Sequence, residues 1–518
     1  MPGPGSGQGG APPPEHASAQ LLGLLKARES LEFLLALHPI MDRQLTQKGL
    51  RSAFDEIESP AQSILSAMEC HGVGFFPEHL GNLQSQLEGR IAELSEEARG
   101  IARDRAFLLS SPQQVAHLLF DVMRIKAPQG LASKQVAGSQ HRSTSEEALR
   151  AIQEEAKRLR QQPPRIVDVL LEFRNLNKLL TTYIRPLPQF AREATIPSRA
   201  KKKRSKRSRL GGDALGPPSV RIHPMWMQTA VRTGRLSCRK PNLQQVPTST
   251  VFGINIRDSF RPTSKDRCLF ACDYSQNEIR ILAHVSNDQA LIAMFNSRDD
   301  IDIYKQMSAA ITGKRIEDIG DEERKVSKQV TLAILYGMGV NQISKKLGIV
   351  RQAAQQHLDA FYRRFHGVRR WMAETKEFAR RNHYVTTITG RRRYLDDIQA
   401  SDKGKVAQAE RQAVNTIIQG SAADIMKLAM IKMSSRIMDW KRDFAGATAG
   451  GTGVSPKILL QIHDELLFEV AANDADIQRL KDAVLRCCAD ECVREFRIAV
   501  PLKLKCSCGS SWGSLDEI

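Results

Sequence analysis

The sequence predicts an α+β protein of several domains, and three observations predict it. Residues 21–190 read mostly as helix, with apolar side chains recurring at helical spacing. The composition then breaks at REATIPSRAKKKRSKRSRLGGDALGPPS (residues 192–219), a basic stretch closed by Gly and Pro. From residue 220 onward short apolar runs suited to strands alternate with helical periodicities. With 518 residues, 41% hydrophobic and 26% charged, the chain has a globular composition and the length for more than one core.

The N-terminal MPGPGSGQGGAPPPEHASAQ is rich in Gly and Pro and predicts a disordered tail over residues 1–20. It lacks the basic and apolar regions of a secretory signal, and with its first arginine at Arg28 it is a poor transit peptide. Residues 21–59 predict a helical lead ending in the acidic AFDEIESP. Within residues 60–190, Leu80, Leu83, Leu87, Ile91 and Leu94 mark one helix, and SSPQQVAHLLFDVM and STSEEALRAIQEEAKRL each open on capping residues. The break at 192–219 is a linker or inserted loop, with seven Lys or Arg within 201–209. Beyond it, IRILAHVSNDQALIAMF, EERKVSKQVTLAILYGMG, RQAAQQHLDAFYRRF and AERQAVNTIIQGSAADIMKLAMIKMSSRI predict helices. KILLQI and ELLFEV predict strands, preceded by the Gly-rich FAGATAGGTGVSP.

The formal net charge is +19 and the pI near 9.6, which points to a polyanionic partner: nucleic acid first, an acidic membrane surface second. No apolar run approaches the roughly 18 residues that a membrane span needs. The nine cysteines, with CLFAC, CC and CSC spacings, make poor zinc patterns and read as reduced thiols of an intracellular protein.

Three constellations carry chemistry. In CLFACDYSQNEIRILAH (residues 268–284) the apolar run is too short for a helix and reads as a buried strand that delivers Asp273 to its end. A carboxylate there needs a partner or a metal. In KILLQIHDELLFEV (457–470) two apolar strands meet at His463 and Asp464, a hairpin whose tip carries Asp464 and Glu465. As neighbours in one sheet these strands bring Asp273 and Asp464 together. Converging carboxylates repel unless a cation lies between them. Mg²⁺ takes one or two carboxylates plus substrate phosphates, and two such ions clamp the attacking and leaving oxygens of an in-line phosphoryl displacement. In ERKVSKQVTLAILYGMG (323–339) Arg324, Lys328, Leu332 and Tyr336 are spaced by four and form one slowly winding helical stripe. Cationic at one end and aromatic at the other, it suits a polyphosphate joined to a flat base; taken alone, it also fits a solvated basic face.

Together these segments resemble the A-family DNA polymerases, the bacterial polymerase I type. DYSQNEIR resembles motif A, RKVSKQVTLAILYG motif B and QIHDELLFEV motif C. TAVRTGRLSCRKPNLQQVP is similar to the family's TGRLS…PNLQ segment, and GRRRYL and ERQAVNTIIQGSAADIMKLAM match further blocks. The resemblance is colinear from about residue 50 to the C-terminus. It implies a right-hand polymerase fold with a helical thumb (60–190), an antiparallel-sheet palm (219–288 and 401–518) and helical fingers (289–400). Residues 21–59 look like the remnant leading from an exonuclease-like domain, and 191–218 like a basic inserted linker.

The resemblance also implies template-directed addition of dNTPs to the 3′ end of primer–template DNA, by a monomer with two Mg²⁺ per active site and Mn²⁺ as a substitute. Asp273, Asp464 and the Tyr274 carbonyl would hold the metals, with Glu465 a supporting carboxylate. Arg324 and Lys328 would hold the triphosphate, with Gln276, Tyr304 and Leu332 in the same pocket. Tyr336 would close over the base pair, and Glu278 would be the steric gate against a ribose 2′-OH. Thr233, Arg235, Asn242, Gln244, Arg411, Asn415, Gln419 and His463 would line the primer–template path. With no space upstream of residue 50 for an exonuclease and no GxxxxGK[ST] loop, neither proofreading nor ATPase activity is expected. The basic run at 201–209 points to the nucleus or to DNA contact. Repair or translesion synthesis is the expected setting, and a DNA-binding scaffold with a decayed site the alternative.

Four positions depart from the family's pattern. Asn277 stands in place of Ile or Leu, Leu332 in place of Phe or Tyr, Ala333 where Gly is common, and Tyr304 in place of a bacterial His. Tyr304, with ILAHVS after motif A, points to the eukaryotic theta/nu branch. Leu332 brings no hydroxyl to the sugar, so poor incorporation of dideoxynucleotides is the expected outcome. Chain termination at dNTP-like ddNTP concentrations in a primer-extension ladder would contradict it.

Overall fold

Eight consecutive residues, Arg267–Tyr274, form the strand on which the molecule is built. The computed structural model describes residues 14–125, 142–193, 220–297, 302–444 and 454–518. The basic run at 201–209 and most of the loop at 445–455 lie outside the described residues. Leu269 and Phe270 are fully buried, and the strand is covered on both faces, which is why it reads as a continuous apolar run rather than an alternation.

Arg267–Tyr274 is the middle strand of a five-stranded antiparallel sheet. On one side lie Glu465–Ala471 and then Lys457–Ile462, the expected hairpin; on the other lie Leu504–Ser511 and then Ser514–Glu517. Phe270 and Phe468 pair edge to face across the first interface, with ring centroids 6.1 Å apart. Helix Ser59–His71 packs against the edge strand Lys457–Ile462 and against the long helix Ser421–Phe444.

The helices before the sheet follow their apolar periodicity. Helix Glu78–Ala102 buries Leu80, Leu83, Leu87 and Leu94, leaves Ile91 half-buried, and packs on helix Arg165–Leu179. Ser111 and Ser145 accept hydrogen bonds from the backbone N–H groups of Gln114 and Ala148, so both expected caps form. Past residue 300, helices Ile303–Thr312 and Asp321–Leu335 pack together as one body. Among the described residues no helix is long and apolar enough to cross a membrane.

Three expectations need correction. The first helix begins at Pro14 and so includes residues 14–20, assigned above to a disordered tail; residues 15–20 hold neither Gly nor Pro, and Pro is well tolerated in a first turn. The segment IRILAHVSNDQALIAMF is two helices, Asn277–Ser286 and Gln289–Asn296. Asn287 takes a left-handed conformation (φ 47°), and the Asp288 carboxylate accepts from the N–H groups of Ala290 and Leu291, both at 3.1 Å. The segment around ERQAVNTIIQGSAAD is helical but widens into a π-turn over Thr416–Gly420, between Lys403–Asn415 and Ser421–Phe444.

The lead is tied to the rest of the molecule by buried charge. Lys427, 1% exposed, donates to Glu58 Oε1 at 2.6 Å. Arg391 pairs with the same Glu58 oxygen at 2.5 Å and donates from Nε to Asp424 at 2.7 Å. Thr387 and Thr389 complete the solvation of Asp424. Removing one member of such a group strands a buried charge. Glu58→Ala is therefore expected to lower unfolding free energy by about 3–5 kcal/mol in chemical denaturation; a loss near zero would show that Lys427 is solvated another way.

Candidate active site

The central strand and the hairpin bring the acidic residues together through backbone register. Asp273, next to last on its strand, lies directly across from Glu465 on one side and from Lys505 on the other. His463 and Asp464 form the two-residue turn between paired Ile462 and Glu465, with His463 left-handed at φ 56°. The Tyr274 N–H donates to the Asp464 carbonyl at 3.0 Å, which locks the turn against the strand end.

Negative charge there is under-compensated. Burial pushes the Asp273 carboxyl up to about 7, and repulsion from Glu465 and Asp464 adds to the effect, against the pull of Lys505. Asp464 and Glu465 are also raised by burial, opposed by Arg235 and Arg257 respectively. Arg235 is the nearest cation, with Nη2 2.6 Å from Glu278 Oε1 and 3.9 Å from Asp464 Oδ1. Trp512 Nε1 donates to Glu465 at 3.4 Å. Among the described residues no three His, Cys, Asp or Glu side chains form a ready-made metal cage. Mg²⁺ takes one or two carboxylates and reserves its other positions for water and phosphate. Asp273 and Asp464 fit that need. Tyr274 has only its backbone to offer, because its phenol is buried and donates to the Cys488 carbonyl at 2.6 Å.

The stripe forms as expected. Arg324, Lys328, Leu332 and Tyr336 share the accessible side of helix Asp321–Leu335, while Ser327, Val330, Thr331 and Ile334 are buried behind it. Tyr336 sits one residue past the helix end. The buried ring of Tyr304 lies 6.0 Å from the Arg324 guanidinium and 5.8 Å from the Lys328 ammonium. Gln276 takes a left-handed conformation at the start of helix Asn277–Ser286, and Glu278 follows, pinned by Arg235. Gln419, on the π-turn, lies beside both Glu278 and Tyr336. Arg411 packs under Gly337, where an added Cβ would come within 3.1 Å of the Arg411 backbone. Asn415, one turn further on, keeps its Oδ1 buried without a partner among the described residues.

The primer–template candidates divide. Arg235, Arg411 and Gln419 gather with Glu278 and Tyr336, and His463 is exposed at the hairpin tip. Thr233 is buried with its hydroxyl unpaired among the described residues. Asn242 and Gln244, half-exposed, commit their side chains to the protein: Asn242 Oδ1 accepts from the Gln244 N–H at 3.1 Å, and Gln244 Nε2 donates to the Leu236 and Gln461 carbonyls at 3.3 and 3.1 Å. These bonds moor the TGRLS segment to the hairpin. Sequence reasoning missed Asp302, Lys505, Arg257 and Trp512; a cap signal marks Asp302, and the alternation LKLKCSCG marks the strand of Lys505.

A family model, DNA polymerase family A, matches residues 77–514. The chain is 33% identical over 464 residues to "DNA polymerase I, thermostable" of Thermus aquaticus, covering 90% of this chain and 48% of that one. It is 31% identical over 499 residues to DNA polymerase I of Bacillus subtilis (strain 168), covering 96% and 49%. The chain thus spans about half the length of these relatives. Among solved structures it is similar to the POL domain of Pol1 from M. smegmatis in complex with DNA primer-template and dNTP. The TM-score is 0.76 at 30% identity, over 92% of this chain and 74% of that one. The fold is accordingly that of a polymerase domain. These relatives are bacterial, so placement on the theta/nu branch rests on Tyr304 and ILAHVS alone.

Asn277 is 1% exposed, and neither its amide oxygen nor its nitrogen has a partner among the described residues. A buried polar group left unpaired costs about 1–3 kcal/mol. Asn277→Ile is expected to stabilise the protein by roughly that amount, read as a higher denaturation midpoint. A lower midpoint would mean that the amide is satisfied in solution.

Proposed function

We propose that this chain, which belongs to DNA polymerase family A, extends the 3′ end of a primer with deoxynucleotides selected by a template strand. The observation that carries the reading is the meeting of Asp273, Asp464 and Glu465 at the end of the central sheet, within the same fold as a cationic and aromatic stripe. Two Mg²⁺ ions, with Mn²⁺ as a substitute, would be held by Asp273, Asp464 and the Tyr274 carbonyl, and when bound supply the charge neutralisation that phosphoryl transfer needs.

The chain's own residues do the rest. Arg324 and Lys328 bind the triphosphate as fixed positive charges. Leu332 and Tyr336 cover the base and sugar. Glu278 stands five residues after Asp273 and is held by Arg235, so it is a fixed obstacle to a ribose 2′-OH. Arg235, Arg411, Asn415, Gln419 and His463 follow the primer–template, with Thr233 beneath them. Asn242 and Gln244 act by holding the TGRLS segment in place.

The finer reading is an unproofread polymerase of the theta/nu kind, acting in the nucleus as a monomer in repair or translesion synthesis. Supporting it are the basic run at 201–209, Tyr304, and a polar Asn277 beside the gate residue.

Primer extension on a primed template tests the activity. Wild-type protein with Mg²⁺ is expected to extend with dNTPs and not with rNTPs, and Asp464→Ala to lose more than about 1,000-fold in rate. Asn277→Ile is expected to misinsert less often. Tight primer–template binding without extension would favour the scaffold reading.

A further inference from the structure

Arg324, the first cation of the triphosphate clamp, already has a carboxylate partner. Asp302 Oδ2 accepts from Arg324 Nη2 at 2.8 Å. The other oxygen, Oδ1, accepts from the backbone N–H groups of Tyr304 and Lys305 at 3.0 and 3.1 Å. Asp302 is thus the N-cap of helix Ile303–Thr312 and the ion-pair partner of the neighbouring helix at once. A carboxylate committed at both oxygens has little rotamer freedom left and makes a stiff anchor. Burial works against its ionisation, but the Arg324 hydrogen bond and the two caps outweigh it and hold the carboxyl below its ordinary range.

Anchor and arginine sit on two helices that pack against each other. The two helices pack side by side, and the Thr331 hydroxyl, which donates to the Ser327 carbonyl at 2.8 Å, lies 3.7 Å from Met307 Sδ between them. Two residues after the anchor, the buried Tyr304 ring faces both clamp cations. Among the described residues Asp302 engages Arg324 through one terminal nitrogen, whereas a guanidinium carries five N–H donors. Among the described residues the remaining donors have no hydrogen-bonded carboxylate, which leaves them for a second anion. Asp302 also lines a cavity of about 810 Å³ together with Ser275, Gln276 and Gln306, the first two directly following the strand of Asp273.

We propose that Asp302 is a positioning residue for the triphosphate: it fixes the Arg324 guanidinium in the orientation that the incoming nucleotide meets. The proposal rests on the polymerase reading above. It makes a prediction opposite in sign to simple charge. A carboxylate beside a polyanion site repels the ligand, so by charge alone its removal should tighten nucleotide binding. If Asp302 orients Arg324, its removal should weaken binding, because the arginine must then be ordered by the nucleotide itself.

Asp302→Asn keeps an oxygen for the two caps and gives up the charge. Single-nucleotide incorporation on one primer–template, titrated with dNTP, separates KM from kcat. The expected result is a KM raised about tenfold with kcat within about threefold of wild type. Tm should stay within about 1 °C, and Asp302→Ser, which also caps, should behave alike. In an Arg324→Ala background, Asp302→Asn should raise KM no further, since there is no guanidinium left to orient. An unchanged or lowered KM, or effects that multiply in the double variant, would overturn the proposal while leaving the polymerase reading intact. A wild-type protein that does not extend the primer would overturn both.

Discussion

Repulsion among carboxylates at the end of one strand pair is the constraint around which this structure is arranged. Antiparallel register places Glu465 opposite Asp273, and the two-residue turn adds Asp464. Hydrogen bonds between backbones hold these groups together against their charges, so the acids do not relax apart as they would on loops. The surrounding cations are placed at one remove: Arg235 is occupied with Glu278, Arg257 stacks on Trp512 at 4.1 Å, and Lys505 also reaches Glu517. What remains is a site that favours an added cation.

The same economy governs the rest of the pocket. Several candidate ligand groups are already bonded to the protein in an orientation that leaves some capacity over. Glu278 is pinned by Arg235, and the Arg324 guanidinium by Asp302. Preorganisation of this kind reduces the ordering that a ligand must impose. Asn277 is the exception, a buried amide with no partner among the described residues, next in the chain to Glu278.

Much of this was legible in the sequence because its signals are local. Asp273 after a short apolar run, the hairpin around His463 and Asp464, and the four-residue spacing of the stripe each depend on residues close together in the chain. What the sequence hid depends on pairing between distant segments. The strand Leu504–Ser511 has a clear two-residue alternation, but nothing local says that it lies beside Arg267–Tyr274 and sets Lys505 across from Asp273. The cap at Asp302 is readable, whereas its second bond, to a residue 22 positions on, is not. The break at Asn287 was missed because the apolar spacing continues on either side of it.

The central strand also sets when the acidic centre can assemble during synthesis. Arg267–Tyr274 waits for partners that arrive about two hundred residues later, and one of its two neighbours is Leu504–Ser511. Glu58, near the beginning, meets its buried lysine only at Lys427. The helical layer around Glu78–Ala102 can assemble from nearer neighbours, but the sheet needs contacts of very long sequence separation, which form slowly. An emerging chain therefore carries an apolar strand whose two edges stay unpaired until first Glu465–Ala471 and then Leu504–Ser511 have been made. The acidic centre forms only once the hairpin around Asp464 has been made and has paired with the strand of Asp273.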